Sequence, residues 1–371
     1  MKNQFFSPSL SAISNRIASS GNTYRLLLDK NEQSLDVPAI LKQKMLGSLM
    51  ESNLNRYPSA NLLSLEEKVA DYCGLQAENI ALAPGSASII TTLLNYFAIN
   101  RKRIIINQPS YSLFEYHCNT YNIPYEPWLL NSELQFDVAE MPAPDANSVV
   151  IITSPNNPVG NAISPEDLEH LLTTHPDSLF ILDAVYCEFG ENDFTPWVHQ
   201  FSNLLVLRSF SKAFPVAGIR LGYLCAQPAM VGMVKKLLLP FSINALTQVF
   251  AEKVLFDPCF MEDARNRVRN TIAERERLRS FMRMYFGTEA VIVHPSQGNF
   301  LLISFANNTL YEKVTGYLED AGIKVLSTHG QKMLNLSIRV TIGTSNENDL
   351  VLDTLVEAVG IQKKAALQMA A

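Results

Sequence analysis

Short, wholly apolar runs recur along this chain between amphipathic stretches, and that alternation narrows its fold more than any other feature. Ile104–Ile106, Val149–Ile152, Leu179–Leu182 and Leu204–Leu207 contain no polar residue. A strand with one wet face alternates apolar and polar side chains. An unbroken apolar run of this length fits a strand covered on both faces, as parallel strands are. Ile80–Ala83 reads the same way. Between the runs lie helix signals. Ser64, Leu65, Glu66 and Glu67 read as a capping box opening a helix through Tyr72, and Ala87–Phe97 reads as a helix. Ser164, Pro165, Glu166 and Asp167 cap the helix between the Val149 and Leu179 strands. Strands alternating with helices predict an α/β large domain with a mostly parallel sheet flanked by helices.

Past Phe260 the texture changes. A charged helix from Asp263 to Met284 leads to strands near Val291 and Phe300. A helix near Leu310, a strand over Ile338–Ile342 and a last helix from Glu347 follow. This reads as a smaller α+β domain. The expected division is an N-terminal arm (1–45) packing with the small domain, a large domain (46–260) and the small domain (261–371).

Bulk properties remove several functional classes. A net charge of -6 without a Lys/Arg cluster argues against nucleic acid as a partner. The Arg/Glu run from Arg265 to Arg279 reads as a solvated helix face. Five scattered cysteines without a C-x-x-C pair fit reduced thiols in a cytoplasm rather than a disulfide framework or zinc site. The six histidines show no ligand spacing, so no metal is expected. Met1 to Asn22 lacks the apolar stretch of a signal peptide, and no run approaches a membrane span.

In open α/β sheets, ligands sit beyond the carboxyl ends of the strands. After Ile80–Ala83 come Pro84, Gly85, Ser86, Ala87 and Ser88, opening a helix. Free N–H groups and the helix dipole make such a start an anion site. Ser209 and Ser211, after the Leu204 strand, add hydroxyls, and Arg220 can add a bidentate charge. Tyr111, after the Ile104 run, offers a flat face. Asp183, ending the Leu179 run, offers a carboxylate, and Lys212 offers an amine that burial can make nucleophilic. Phosphate, aromatic ring, ring nitrogen and aldehyde are the parts of pyridoxal phosphate.

From about Leu28 to Val359 the chain resembles the class I/II aminotransferases among the fold type I pyridoxal-phosphate enzymes, most of all the histidinol-phosphate aminotransferases. The resemblance is carried by Asn55-Arg56-Tyr57-Pro58, Ser154 to Gly160, Asp183 to Tyr186, Ser209 to Lys212, Gly218 to Gly222 and Ile338 to Thr344. It implies a homodimer that moves an amino group from an amino donor to an oxo acid such as 2-oxoglutarate. Lys212 would form the Schiff base, and Asp183 would pair with the pyridine nitrogen. Asn157 and Tyr186 would bond the ring hydroxyl, and Tyr111 would stack on the ring. Ser86, Ala87, Ser209, Ser211 and Arg220 would hold the phosphate, joined by Tyr57 from the neighbouring subunit. Arg339 and Asn31 would meet the substrate.

The chain departs from the pattern in places. Ala87-Ser88 replaces an acidic pair, Val159 a Thr, and Gln33-Ser34 the second half of an Asn-Glu-Asn-Pro turn. Leu326 stands where histidinol-phosphate enzymes carry an Arg for the substrate phosphate, with Lys324 two residues away on the same strand face. A decarboxylase of the threonine-phosphate type shares nearly every motif. A non-catalytic pyridoxal-phosphate-binding regulator would carry a basic helix-turn-helix segment, and a dinucleotide dehydrogenase would need G-x-G-x-x-G.

Overall fold

A computed structural model describes Leu10, Ile13 and residues 23–286 and 290–360. The leaderless reading of Met1 to Asn22 therefore lies outside the described residues, apart from Leu10 and Ile13. Along the chain the strands are β1 (Leu26–Leu28), β2 (Ile80–Ala83), β3 (Arg103–Gln108), β4 (Glu126–Leu129), β5 (Ser148–Thr153) and β6 (Leu179–Asp183). They continue as β7 (Leu204–Ser209), β8 (Gly222–Cys225), β9 (Val291–Val293), β10 (Phe300–Phe305), β11 (Ile323–Ser327) and β12 (Ser337–Thr341). The helices are α1 (Ala39–Met50), α2 (Leu63–Cys73), α3 (Ser86–Ile99), α4 (Ser112–Tyr121) and α5 (Pro165–Thr174). After them come α6 (Pro228–Leu237), α7 (Ala245–Phe250), α8 (Pro258–Phe286), α9 (Asn308–Asp320) and α10 (Ser345–Val359).

The large sheet has the order β2-β8-β7-β6-β5-β3-β4. Its pairs from β7 through β4 are parallel, while β8 runs antiparallel to both β2 and β7. The apolar runs serve two cores at once. Ile104, Ile106, Val149, Ile151, Leu205 and Leu207 face the core under α3, α4 and α6. Ile105, Val150, Ile152, Leu204 and Val206 face the opposite core with α2, α5 and α8. With side chains alternating across the sheet and helices on both faces, each position in a run must be apolar.

The second sheet has the order β1-β11-β12-β10-β9, with β1 parallel to β11 and the other pairs antiparallel. It packs on α9, α10 and the end of α8 around Leu301, Ile303, Ile338 and Val351. The arm thus contributes β1 to this small sheet, whereas α1 lies against α7 and the segment after it.

Local signals differ from the sequence reading in three places. Helix α2 starts at Leu63 and has no side-chain cap from Ser64; Asn61 Oδ1 accepts the Leu63 N–H at 3.1 Å. Glu66, next to the acid expected in the box (Glu67), pairs with Lys235 at 2.7 Å. Helix α10 starts two residues before Glu347, because Glu347 closes a capping box with Thr344 and is the third helical residue. Arg275 leaves the solvated face of α8. It is buried, and its Nη1 donates to Phe189 O at 3.1 Å and Gly298 O at 2.9 Å, tying the helix to both sheets' loops. The Ser164 cap is present, accepting the Asp167 N–H at 3.0 Å.

Among the described residues no helix is long and apolar enough to cross a membrane. No group of three or more His, Cys, Asp or Glu there could hold a metal ion.

Candidate active site

The strand ends of the large sheet meet the small sheet around a cavity of about 710 Å³. Ser86, Ala87, Tyr111, Ser209, Ser211 and Arg220 line it. So do Asn157, Asp183, Tyr186, Lys212 and Arg339. Two expected residues are not on its wall. Asn31 is fully buried behind Tyr186, and Tyr57 is 82% exposed, its ring stacked on Phe241 at 5.1 Å.

One end of the cavity is built to approach an anion. Gly85 has φ 82 and ends the turn into α3, whose first turn has no side-chain cap. A Cβ on Gly85 would lie 2.6 Å from Arg220 Nη2. A Cβ on Gly222 would lie 2.2 Å from the Ser86 nitrogen. The two glycines therefore let the guanidinium, the start of β8 and the start of α3 pack together. Ser209 Oγ and Ser211 Oγ stand 3.1 Å apart on the same side. Between them, fully buried Phe210 packs on Phe214, Tyr223 and Phe256 and pins the loop.

Asp183 lies deeper, at the end of β6 and buried. Its Oδ1 has no hydrogen-bond partner. Burial pushes the carboxyl up to about 7, against the lowering effects of the Val185 N–H and of Lys212. Lys212 shows the converse. Burial, then Arg339 and Arg220, bring its amine down to about 8, while Glu32 and Asp183 oppose the shift. Its Nζ donates to Lys30 O at 2.8 Å. Burial lifts the Tyr186 phenol to about 12, and its oxygen accepts from Asn31 Nδ2 at 2.9 Å.

At the other end, Arg339 is buried in β12 rather than facing water. Its guanidinium donates to Asn157 Oδ1 and Asp29 O and lies 5.4 Å over the Phe300 ring. Leu326 is its partner across β11–β12, and Leu326 and Gln331 both line the cavity. Lys324, expected to compensate in part, does not line the cavity. Asp29 holds its ammonium at 3.3 Å, and the Tyr24 ring lies 5.5 Å away.

Sequence reasoning missed the contribution of the turn after β1. Asp29, Lys30 and Glu32 line the cavity, and Gln33 Nε2 donates to Lys212 O at 2.9 Å. No local pattern marks these contacts, since they join residues far apart in the chain. The only hint was the half-matching turn at Asn31-Glu32.

Residues 23–355 match the family described as aminotransferase class I and II. A histidinol-phosphate aminotransferase from Pyrococcus furiosus is 35% identical over 337 residues, covering 90% of this chain and 92% of the relative. Among solved structures, histidinol-phosphate aminotransferase from Sinorhizobium meliloti in complex with pyridoxal-5'-phosphate superposes with a TM-score of 0.81 at 19% identity, covering 96% of this chain and 98% of that one. L-threonine-O-3-phosphate decarboxylase from Porphyromonas gingivalis superposes with a TM-score of 0.73 at 23% identity, covering 90% and 99%.

Proposed function

Since the chain belongs to the class I and II aminotransferase family and is thereby an aminotransferase dependent on pyridoxal phosphate, we propose that it moves an amino group from an amino-acid donor to an oxo acid such as 2-oxoglutarate, with Lys212 as the acting amine. One observation carries this reading: a buried carboxyl with a free oxygen, Asp183 Oδ1, shares a cavity with Lys212, whose amine is brought down to about 8.

The residues present fit the cofactor. Asp183 Oδ1 lacks the N–H partner that a ring nitrogen would supply. The uncapped start of α3, Ser209, Ser211 and Arg220 form the anion end. Tyr111 would lie against the ring, and Asn157 and Tyr186 would hold its hydroxyl. When bound, pyridoxal phosphate supplies an aldehyde that links to amines and a protonated ring that takes up electrons released at the donor's Cα. The protein's side chains do the rest. Asp183 keeps a proton on the ring nitrogen. Lys212 Nζ takes the Cα proton as general base and returns it, which a pKa near neutrality favours. Arg339 holds the donor's carboxylate. Asn31 acts behind the site, orienting the Tyr186 hydroxyl.

Leu326 and Gln331, both uncharged, are part of the cavity wall, with Leu326 across β11–β12 from Arg339. We therefore infer a donor less anionic than a phosphate monoester, in a protein otherwise similar to histidinol-phosphate aminotransferases. We also propose a homodimer in the cytoplasm. Met50, Leu54, Tyr57 and Leu239 are exposed apolar side chains, and Phe241 stacks on Tyr57. Exposed apolar surface of this kind suits a partner surface.

Borohydride reduction of the yellow protein tests the central claim. It should fix the cofactor on the peptide containing Lys212, and a panel of amino acids against 2-oxoglutarate should turn over. Cofactor fixed at another lysine would refute the assignment.

A further inference from the structure

The five residues from Asp29 to Gln33 touch the chemistry at several points. Arg339 donates to Asp29 O, and Lys212 Nζ donates to Lys30 O at 2.8 Å. Asn31 Nδ2 donates to the Tyr186 hydroxyl at 2.9 Å, and Gln33 Nε2 donates to Lys212 O at 2.9 Å. Lys212 is thus held at both its side-chain nitrogen and its main-chain oxygen by one turn. That turn is fastened to the small sheet. Its N-terminal flank is β1, paired with β11. Asn31 sits at φ 56, its N–H donating to Thr341 Oγ1 at 3.0 Å and its carbonyl accepting from Asn299 Nδ2 at 3.1 Å. The ties run to β12 and to the approach to β10, so the turn and Arg339 ride on the same sheet.

We propose that this turn is a positioning device for Lys212: Gln33 fixes the lysine's main chain, the Lys30 carbonyl seats its free amine, and a donor carboxylate binding Arg339 is thereby felt at the base. The inference rests on the reading of Lys212 given above. Gln33 does not line the cavity, so its effect passes through Lys212 and not through contact with donor or cofactor. The seat has a chemical use. An amine freed from the cofactor has four single bonds over which to wander, and a fixed acceptor narrows where its nitrogen points. Charged groups facing the amine come from several elements: Asp183 on β6, Arg220 before β8, Arg339 on β12 and Glu32 in the turn itself. A shift in the seat changes its distance to all of them.

The test uses Gln33→Leu, which removes the amide donor, and Gln33→Glu, which keeps the shape but replaces the donor with an acceptor. Cofactor-free protein is labelled with acetic anhydride across a pH series, and acetylation of Lys212 is read by mass spectrometry. Each folded variant should label Lys212 faster than the parent by about two- to tenfold, the worth of one net hydrogen bond, with a displaced pH midpoint. In the loaded enzyme, α-deuterated L-glutamate should show a larger isotope effect on the half-reaction, with kcat lowered and KM nearly unchanged. Labelling rate and midpoint equal to the parent's in a folded variant would overturn the proposal, as would a loss confined to KM. Borohydride mapping to another lysine would instead overturn the functional reading, so the two failures are distinct.

Discussion

Replacing Asp183 with Asn should stabilise the cofactor-free protein in a pH-dependent way while crippling the enzyme. The carboxyl is buried at the end of β6, and burial raises its pKa from 3.8 to about 7. A shift of about three units at ~1.4 kcal/mol each puts the cost of the ionised form at about 4 kcal/mol. The sign follows from proton binding. The folded state holds the proton more tightly than the unfolded chain, so Asp183's contribution is full below pH 4. It is lost as the pH rises toward 7 and is constant above that. Asn carries no charge at any pH, but its amide N–H groups enter a place with no acceptor, at a pH-independent cost of about 1–3 kcal/mol. The useful quantity is therefore the change in the stability gap between pH 5 and pH 8, in which that cost cancels. It should move by about 3 kcal/mol in favour of Asp183→Asn. Urea titrations of both cofactor-free proteins at the two pH values measure it. A gap that stays within about 1 kcal/mol between the two pH values would refute the electrostatic argument. With cofactor the order should reverse, and kcat should fall far more than KM rises.

Three further outcomes follow from the geometry. Leu326→Arg should improve histidinol phosphate as a donor by about ten- to a hundredfold in kcat/KM, because a charged hydrogen bond to phosphate is worth ~1.5–3 kcal/mol; a parent enzyme that already prefers histidinol phosphate over every amino acid tested would show that the neutral reading of this wall is wrong. Gly222→Ala should weaken cofactor retention severely, since its Cβ would stand 2.2 Å from the Ser86 nitrogen and force α3 away from Arg220; dialysis followed by absorbance reads the loss, and normal retention would count against the anion end. If Tyr57 completes the neighbouring site, mixing inactive Lys212→Ala and Tyr57→Ala chains should restore some activity, whereas fully active monomers in sedimentation would contradict the shared site.

The sequence reading succeeded where chemistry is local and failed where it is not. Val149–Ile152 and Leu204–Leu207 announced buried strands because each residue in them faces one of two cores. Asp183 stood out because a carboxylate ending such a run is costly unless paired, and Lys212 because Ser209, Ser211 and Asp183 accompany it at the strand ends. Gly222 gave no signal of its own, because its reason is a contact across β2 and β8 with the start of α3. Arg275 was lost in a run of charges, since periodicity alone does not say which Arg turns inward to find the Phe189 and Gly298 carbonyls. The turn after β1 was legible only as a half-kept motif. Its meaning lies in hydrogen bonds to residues 155 and 182 positions away.

Polar groups inside a protein are normally paired, because an unpaired one costs roughly 1–3 kcal/mol. Here Thr153 Oγ1, Asp183 Oδ1 and Arg339 Nε are buried without partners, and all three residues line the same cavity. Their apolar neighbours on β5, β6 and β12 belong to the two cores behind the wall. A cavity that leaves a carboxylate, a hydroxyl and a guanidinium short of partners loses stability when empty. It regains that stability when a ligand supplies a donor to the first and acceptors to the others. Lys212 is seated by the Lys30 carbonyl rather than by an acid, and that suits a base: a carboxylate there would pair with the amine, hold its proton and end its use as a base.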